Sequence, residues 1–225
     1  GAFGELLDLF PSFYSEYKLP VPEDKKFEAA YGLRMQRQFH EARNLYEEII
    51  KTYKKKLGKN KKTNIESLEQ IEKSYEFIRI SYRVEERKEK GIQEIRKALN
   101  FFENFISKQK TDKPITSEYY EYYVKIGVQL ARDIWTEGKR EEAEELLNDI
   151  EVFSKNKTSL SQIYWVKGRM RQDEGKFSEA IDIFKNALSE NKDKDFQLKL
   201  LWLIGWNQKK ANKLEDAIKS FEELE

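Results

Sequence analysis

Three alanines, Ala143, Ala180 and Ala217, follow one another at intervals of 37 residues. Each has a small residue twelve positions earlier, at Ala131, Gly168 and Gly205, and a bulky apolar residue four positions later, at Leu147, Phe184 and Phe221. A small-then-large pattern at this period constrains the chain more than any other feature. It predicts helical hairpins stacked in a row, each too small to bury its apolar face alone, rather than one central core. The same template recurs near the start of the chain, where Ala30 precedes Ala42 by twelve and Tyr46 follows by four.

Composition agrees with exposed helices. Of the 225 residues, 37% are charged, yet the net charge is only +1. Mixed Glu, Lys and Arg suit solvated helix faces with pairs three or four residues apart. A nearly neutral chain is not what a protein dedicated to nucleic acid requires, so no nucleic-acid partner is expected. The 4 prolines and 10 glycines are few enough for an all-helical chain. With 0 cysteines, disulfides, thiol catalysis and thiolate metal sites are excluded. No apolar run approaches the ~18 residues of a membrane span, and no signal-peptide pattern is present, so no transmembrane segment is expected.

The periodicity divides the chain into a segment over 1–22 and a repeat domain over 23–225. Phe3, Leu6, Leu7, Phe10, Phe13, Tyr14 and Tyr17 give the first segment an amphipathic helical spacing, broken near Pro11 and ended by Pro20 and Pro22. It reads as a cap for the open end of a helical stack, or as a docking segment for another subunit. A first hairpin then turns at Arg37-Gln38 between faces marked by Phe27, Ala30, Tyr31 and Met35 and by Phe39, Ala42, Tyr46, Ile49 and Tyr53. The basic run Lys54–Lys62 is expected to fray into an exposed, solvated loop, with contact to phosphate or anionic lipid as the functional alternative. Asn64 is a candidate N-cap for a helix with Leu68, Ile71, Tyr75, Ile78 and Tyr82 in one stripe. Its partner is expected from about Gly91, with Ala98 as the packing alanine and Phe102 four later. That assignment gives gaps of 56 to Ala42 and 45 to Ala143, hence longer helices or loops.

Three regular hairpins complete the chain. Their first helices are expected at 116–137, 159–174 and 194–211, and their second helices at 139–155, 177–190 and 214–224. The turns fall at Gly138-Lys139, Gly175-Lys176 and Asn212-Lys213, where Gly or Asn supplies a left-handed cap residue. Tyr119, Tyr120, Tyr122 and Tyr123 spread over more than one face and are expected mostly in the core. The fold class is therefore all-α: a right-handed superhelix of about five helix-turn-helix hairpins.

The string Gly168, Gly175, Phe177, Ala180, Ile181, Phe184, Ala187, Leu188 resembles the tetratricopeptide repeat. The match is good over 159–225, fair over 23–53 and 116–155, and weak over 64–110. The period exceeds the usual 34, and Asn191-Lys192 stand where that family has a proline. A narrower resemblance covers about 65 residues. Leu201 to Trp206, then Asn212 to Ala217 and Phe221, with Gly168-Arg169 and Glu174 to Phe177 before them, are similar to the helical region of soluble lytic murein transglycosylases. That resemblance implies a bacterial, periplasmic scaffold, with a peptidoglycan-cleaving domain beyond residue 225. The alternative is a stand-alone adaptor that recognises a protein or peptide, in cytoplasm or periplasm.

No catalytic constellation competes with a scaffold. Gly32-Leu33-Arg34-Met35-Gln36 superficially resembles a transglycosylase segment, but it carries an inserted Arg and has no Glu-Ser before it. His40 is the only histidine, so neither a zinc site nor any other metal site is expected. No Gly-rich phosphate loop or Gly-x-Ser-x-Gly elbow appears, and no cofactor is expected. The candidate binding residues are aromatics beside cations on first helices: Trp165, Arg169 and Gln172; Trp202, Trp206 and Lys209; and Arg132 with Trp135 one unit earlier. First helices line the concave face of a tetratricopeptide superhelix, where such residues suit a peptide, a glycan chain or a protein helix. The alternative is that these tryptophans seal layers between repeats.

Overall fold

The structure, a computed structural model, describes residues 21–58, 60–109 and 116–224. The segment over 1–22 therefore lies outside the described residues except for Val21 and Pro22. Among the described residues there are ten α-helices and no strand. After a 3-10 turn at Glu23–Lys25 come α1 (Lys26–Met35), α2 (Phe39–Lys56), α3 (Lys61–Val84) and α4 (Lys88–Ser107). Then come α5 (Ser117–Thr136), α6 (Arg140–Ser154), α7 (Ser161–Asp173), α8 (Phe177–Ser189), α9 (Lys194–Lys210) and α10 (Leu214–Glu222). The helix pairs expected in the C-terminal half agree with these bounds to within two residues. Contacts group the chain into two compact units, 1–108 and 109–225.

Five hairpin turns are built alike. Arg37, Glu86, Gly138, Gly175 and Asn212 all have positive φ, between 60° and 80°. The amide after each reaches back to the carbonyl five residues earlier, as Gln38 does to Leu33, Arg87 to Tyr82 and Lys176 to Arg171. This is the Schellman closure, which satisfies carbonyls that a helix end leaves free. The small packing residue follows the left-handed residue by five in every hairpin: Ala42, Gly91, Ala143, Ala180 and Ala217. The packing residue of the α3–α4 hairpin is thus Gly91 and not Ala98, a correction to the sequence reading. Gly91 sits close to Arg79, where an added Cβ would lie 3.4 Å from the Arg79 carbonyl oxygen. The other hairpins place a small residue at that opposite position, twelve earlier. Here a large residue faces a glycine, and the periodic signal disappears.

In unit 2, Gly168 and Gly205 lie against rings from the returning helix. A Cβ on Gly168 would come within 2.6 Å of Phe184 Cε1, and one on Gly205 within 2.8 Å of Phe221 Cε1. The bulky residue four after each alanine thus fills the space that the glycine leaves. Ala180, Ile181, Phe184, Ala187, Leu200, Leu203 and Ile204 form one buried cluster between α8 and α9, edged by Tyr164, Trp165 and Phe196. Tyr119, Tyr120 and Tyr123 are buried, while Tyr122 is only half-buried. Asn191, standing where the repeat family has proline, donates to Ser161 Oγ at 3.0 Å and ties the α8–α9 loop to the start of α7.

Unit 1 is closed by aromatics and cations. Phe77 stacks on Tyr46 at 5.5 Å and meets Phe27 edge-on at 5.6 Å. Buried Arg43 pairs with Glu85 and lies over the Tyr82 ring at 4.2 Å. The expected loop is shorter than the basic run: α2 stays helical through Lys56 and α3 begins at Lys61. Lys54 donates to Tyr75 Oη at 3.1 Å and sits over the Phe101 ring at 4.3 Å. Burial there pushes its ammonium pKa down. The N-cap of α3 is Asn60, whose side chain accepts from the Thr63 amide at 2.9 Å. Asn64, expected in that role, is buried and accepts from the Gly58 amide at 2.8 Å instead. Both asparagines precede an apolar stripe, so the sequence pattern alone did not separate them.

Candidate functional site

The candidate residues all lie on first helices of unit 2. Trp202 on α9 is 50% exposed. With Trp165 and Arg169 from α7 and Leu198 and Leu203 from α9, it lines a hollow of 530 Å³ whose edge reaches Leu224. The lining is mainly apolar and carries two cations, Arg169 and Lys199, and no acid. Neither cation forms an ion pair with a carboxylate among the described residues. Leu198, 45% exposed, adds to the apolar surface.

A second hollow, also of 530 Å³, shares Trp165 and Lys199. Arg132 enters it from α5 and stands over the Trp165 ring at 5.2 Å. Three cations, Lys125, Arg132 and Lys199, and two acids, Asp193 and Asp195, line it. Asp193 also accepts from the Phe196 amide at 3.0 Å and caps α9, fixing the rim of the hollow to the helix. Gln129 Oε1 is buried along this lining without a hydrogen-bond partner. A third hollow of 380 Å³ lies between Tyr122, Ser159, Gln162 and Asn191.

The structure brings Trp165, Arg169 and Trp202 to one hollow and Arg132 to the next. The remaining candidates are placed elsewhere. Trp206 meets the Phe177 ring edge-on at 6.0 Å, with the Lys210 ammonium 5.2 Å from its own ring. Gln172 accepts from Asn207 Nδ2 at 3.2 Å, linking α7 to α9. Trp135 is half-buried and Lys209 is exposed. Trp165 itself packs on Phe196 at 6.2 Å. Sealing a layer and lining a hollow are therefore combined in that one ring. Sequence reasoning did not single out Leu198, Lys199 or Gln129. A Leu four before a Trp is an ordinary helix-core spacing, and only exposure marks Leu198 out.

Other chemistry-bearing residues stay apart. His40 is exposed, 3.5 Å from Asn44 Nδ2. Among the described residues no group of three or more His, Cys, Asp or Glu side chains is placed to hold a metal ion. None of the described helices is long and apolar enough to cross a membrane. Tyr164, whose phenol pKa is pushed up to about 12 by burial and by Glu151, donates to that carboxylate at 3.0 Å. That contact joins two helices rather than presenting an acid to a cleft.

No family model and no curated protein matches the chain. Solved structures do. BtubC (BKLC) from P. vanneervenii superposes with a TM-score of 0.56 at 16% identity, over 89% of this chain and 77% of that one. NprR, solved in complex with its cognate peptide NprX, gives 0.54 at 17% identity, over 99% of this chain and 60% of NprR. The Rap conjugation gene regulator of the plasmid pLS20, solved with the Phr* peptide, gives 0.54 at 12%, over 88% of this chain and 50% of that one. The chain thus spans half to three-fifths of the length of the two peptide-bound proteins. At these identities the likeness carries the fold alone. The fold is the tetratricopeptide-like array of helical hairpins.

Proposed function

We propose that this chain is a non-catalytic helical-repeat scaffold that holds a peptide or protein segment in the hollow lined by Trp165, Arg169, Leu198 and Trp202. The observation that carries this reading is the half-exposed Trp202 beside cations that have no ion-pair partner among the described residues. A ring held on a helix loses little rotational freedom on binding, and a nearby guanidinium selects carboxylates. The occupant that fits is a segment carrying one bulky apolar side chain and one carboxylate. The peptide-bound NprR and Rap structures share the fold and support a peptide over a glycan.

The version in which this scaffold belongs to a periplasmic lytic transglycosylase rests on the resemblance around Leu201–Phe221. The residues that carry it include Gly168, Gly205 and Ala217, which close hairpins. Any tightly packed hairpin needs such residues, so the resemblance supports that version less than the hollow supports peptide binding.

Selection from a displayed random-peptide library against the full chain tests the proposal. Saturable binders with an acidic and a bulky apolar residue are expected. Trp202→Ala should weaken them by roughly 2 kcal/mol, about thirtyfold, with helicity unchanged. Binders insensitive to both Trp202→Ala and Arg169→Ala would remove the hollow as the site. Saturation by muropeptides or chitooligosaccharides, with no peptide selected, would favour the cell-wall version.

A further inference from the structure

The second hollow, of 530 Å³, falls within the ~300–1,000 Å³ usual for small-ligand sites. Its lining comes from three first helices in sequence, α5, α7 and α9, and from the loop before α9. The α5 wall is basic, with Lys125 and Arg132 and no acid. The wall made by Asn191, Asp193, Asp195, Phe196 and Lys199 carries two acids against one cation. Asp193 is used by the fold as the cap of α9. Among the described residues, Arg132 and Lys199 form no ion pair, Asp195 forms neither ion pair nor hydrogen bond, and Gln129 Oε1 is buried without a donor. The Arg132 guanidinium lies 5.2 Å from the centre of the Trp165 ring, and that ring lies 6.2 Å from Phe196. The basic and acidic walls are therefore within about 11 Å of each other, the reach of about three extended residues.

We propose that this hollow is a binding site for a short zwitterionic peptide of about three residues, with its free carboxylate at Arg132 and its free ammonium at Asp195. An apolar central side chain rests against Val128, Trp165 and Phe196. A main-chain N–H of the peptide supplies the donor that Gln129 Oε1 lacks, and a buried acceptor is costly to leave unmatched. A free amino acid holds its two charges about one residue apart, too close to reach both walls. An internal segment of a protein carries neither end charge, so it offers nothing fixed to either wall. A nucleic acid would bring like charge to Asp193 and Asp195. The hollow shares Trp165 and Lys199 with the one that Trp202 lines, but Trp202 is no part of it. The inference therefore does not depend on the function proposed for the Trp202 hollow.

The probe is the tripeptide Ala-Leu-Ala, titrated into the full chain by isothermal calorimetry beside its N-acetylated and C-amidated forms. Saturable binding at a single site is expected. Acetylation or amidation should each weaken it roughly fivefold or more, because each removes a charge-assisted contact. In Arg132→Gln the amidated and free peptides should bind alike. In Asp195→Asn the acetylated and free peptides should do so. Both residues are exposed, so both variants should keep the parent circular dichroism. The absence of saturable binding would overturn the proposal. So would undiminished binding of the peptide blocked at both ends, the behaviour of a segment from a longer chain. Binding lost in Trp202→Ala and kept in Arg132→Gln would place the peptide in the first hollow and overturn it as well.

Discussion

At Gly168 an added methyl would stand inside the van der Waals surface of the Phe184 ring, which is fully buried. A fully buried ring cannot swing toward solvent, so Gly168→Ala should cost about 1–3 kcal/mol by overpacking. At Gly205 the colliding ring is Phe221, half-buried on the last helix. It can swing toward solvent, so Gly205→Ala should cost visibly less. Melting temperatures of the two variants check this, and equal losses would contradict the argument from ring freedom. The positions themselves were legible in the sequence as small residues on the period. That each faces a phenylalanine ring sixteen residues on, rather than the alanine twelve on, required the packed hairpin.

At the scale of elements, turns and interfaces differ in what holds them. Gly138, Gly175 and Asn212 suit the left-handed conformation that their hairpins require, whereas Glu86 adopts it, at φ 60°, with a Cβ. Glu86→Gly should therefore stabilise the α3–α4 hairpin by about 0.5–1 kcal/mol, read as a higher urea midpoint at unchanged slope. The α6–α7 contact is electrostatic, where α8–α9 is apolar. The hydrogen bond from Arg171 holds the Glu144 carboxyl below its ordinary pKa of 4.5. The folded state then binds fewer protons than the unfolded one at mildly acidic pH. The pair's contribution is complete above the ordinary carboxylate range and is lost as pH falls through the lowered folded value. Glu144→Gln should be less stable than the parent by up to ~1 kcal/mol at pH 7. The gap should close as pH is taken from 5 toward 3, and a constant gap would mean that the carboxylate charge is not what matters. Helix bounds in this half were legible because period, caps and turns agreed. The α3–α4 hairpin was not, because Arg79 stands where the other hairpins have a small residue opposite the packing position.

For the whole molecule, each helix packs mainly on its neighbours in sequence, and contacts gather into the units 1–108 and 109–225. Stability in such an array is a sum of local interfaces. Native-state amide exchange should resolve protection that is high in α7, α8 and α9 and falls at α10, which is covered on one side alone. Uniform protection from α7 to α10 would mean that the apolar face of α10 is already covered in solution.

The sequence by itself determined the repeat, because a hairpin that closes at one point needs a small residue there, and the alanines and glycines count out the period. It also determined the turns at Gly138, Gly175 and Asn212, since Gly and Asn tolerate the left-handed backbone that other side chains resist. Only the tertiary structure decided which apolar residues remain in water. Periodicity places Ile181 and Ile218 on the same face, and Trp202 and Trp206 one turn apart. Whether a face is covered depends on the next helix in space, which local sequence does not encode. The same reason separates Lys54, held among aromatic rings, from the exposed Lys55 beside it. A charged run looks solvated until another helix is packed against one of its members.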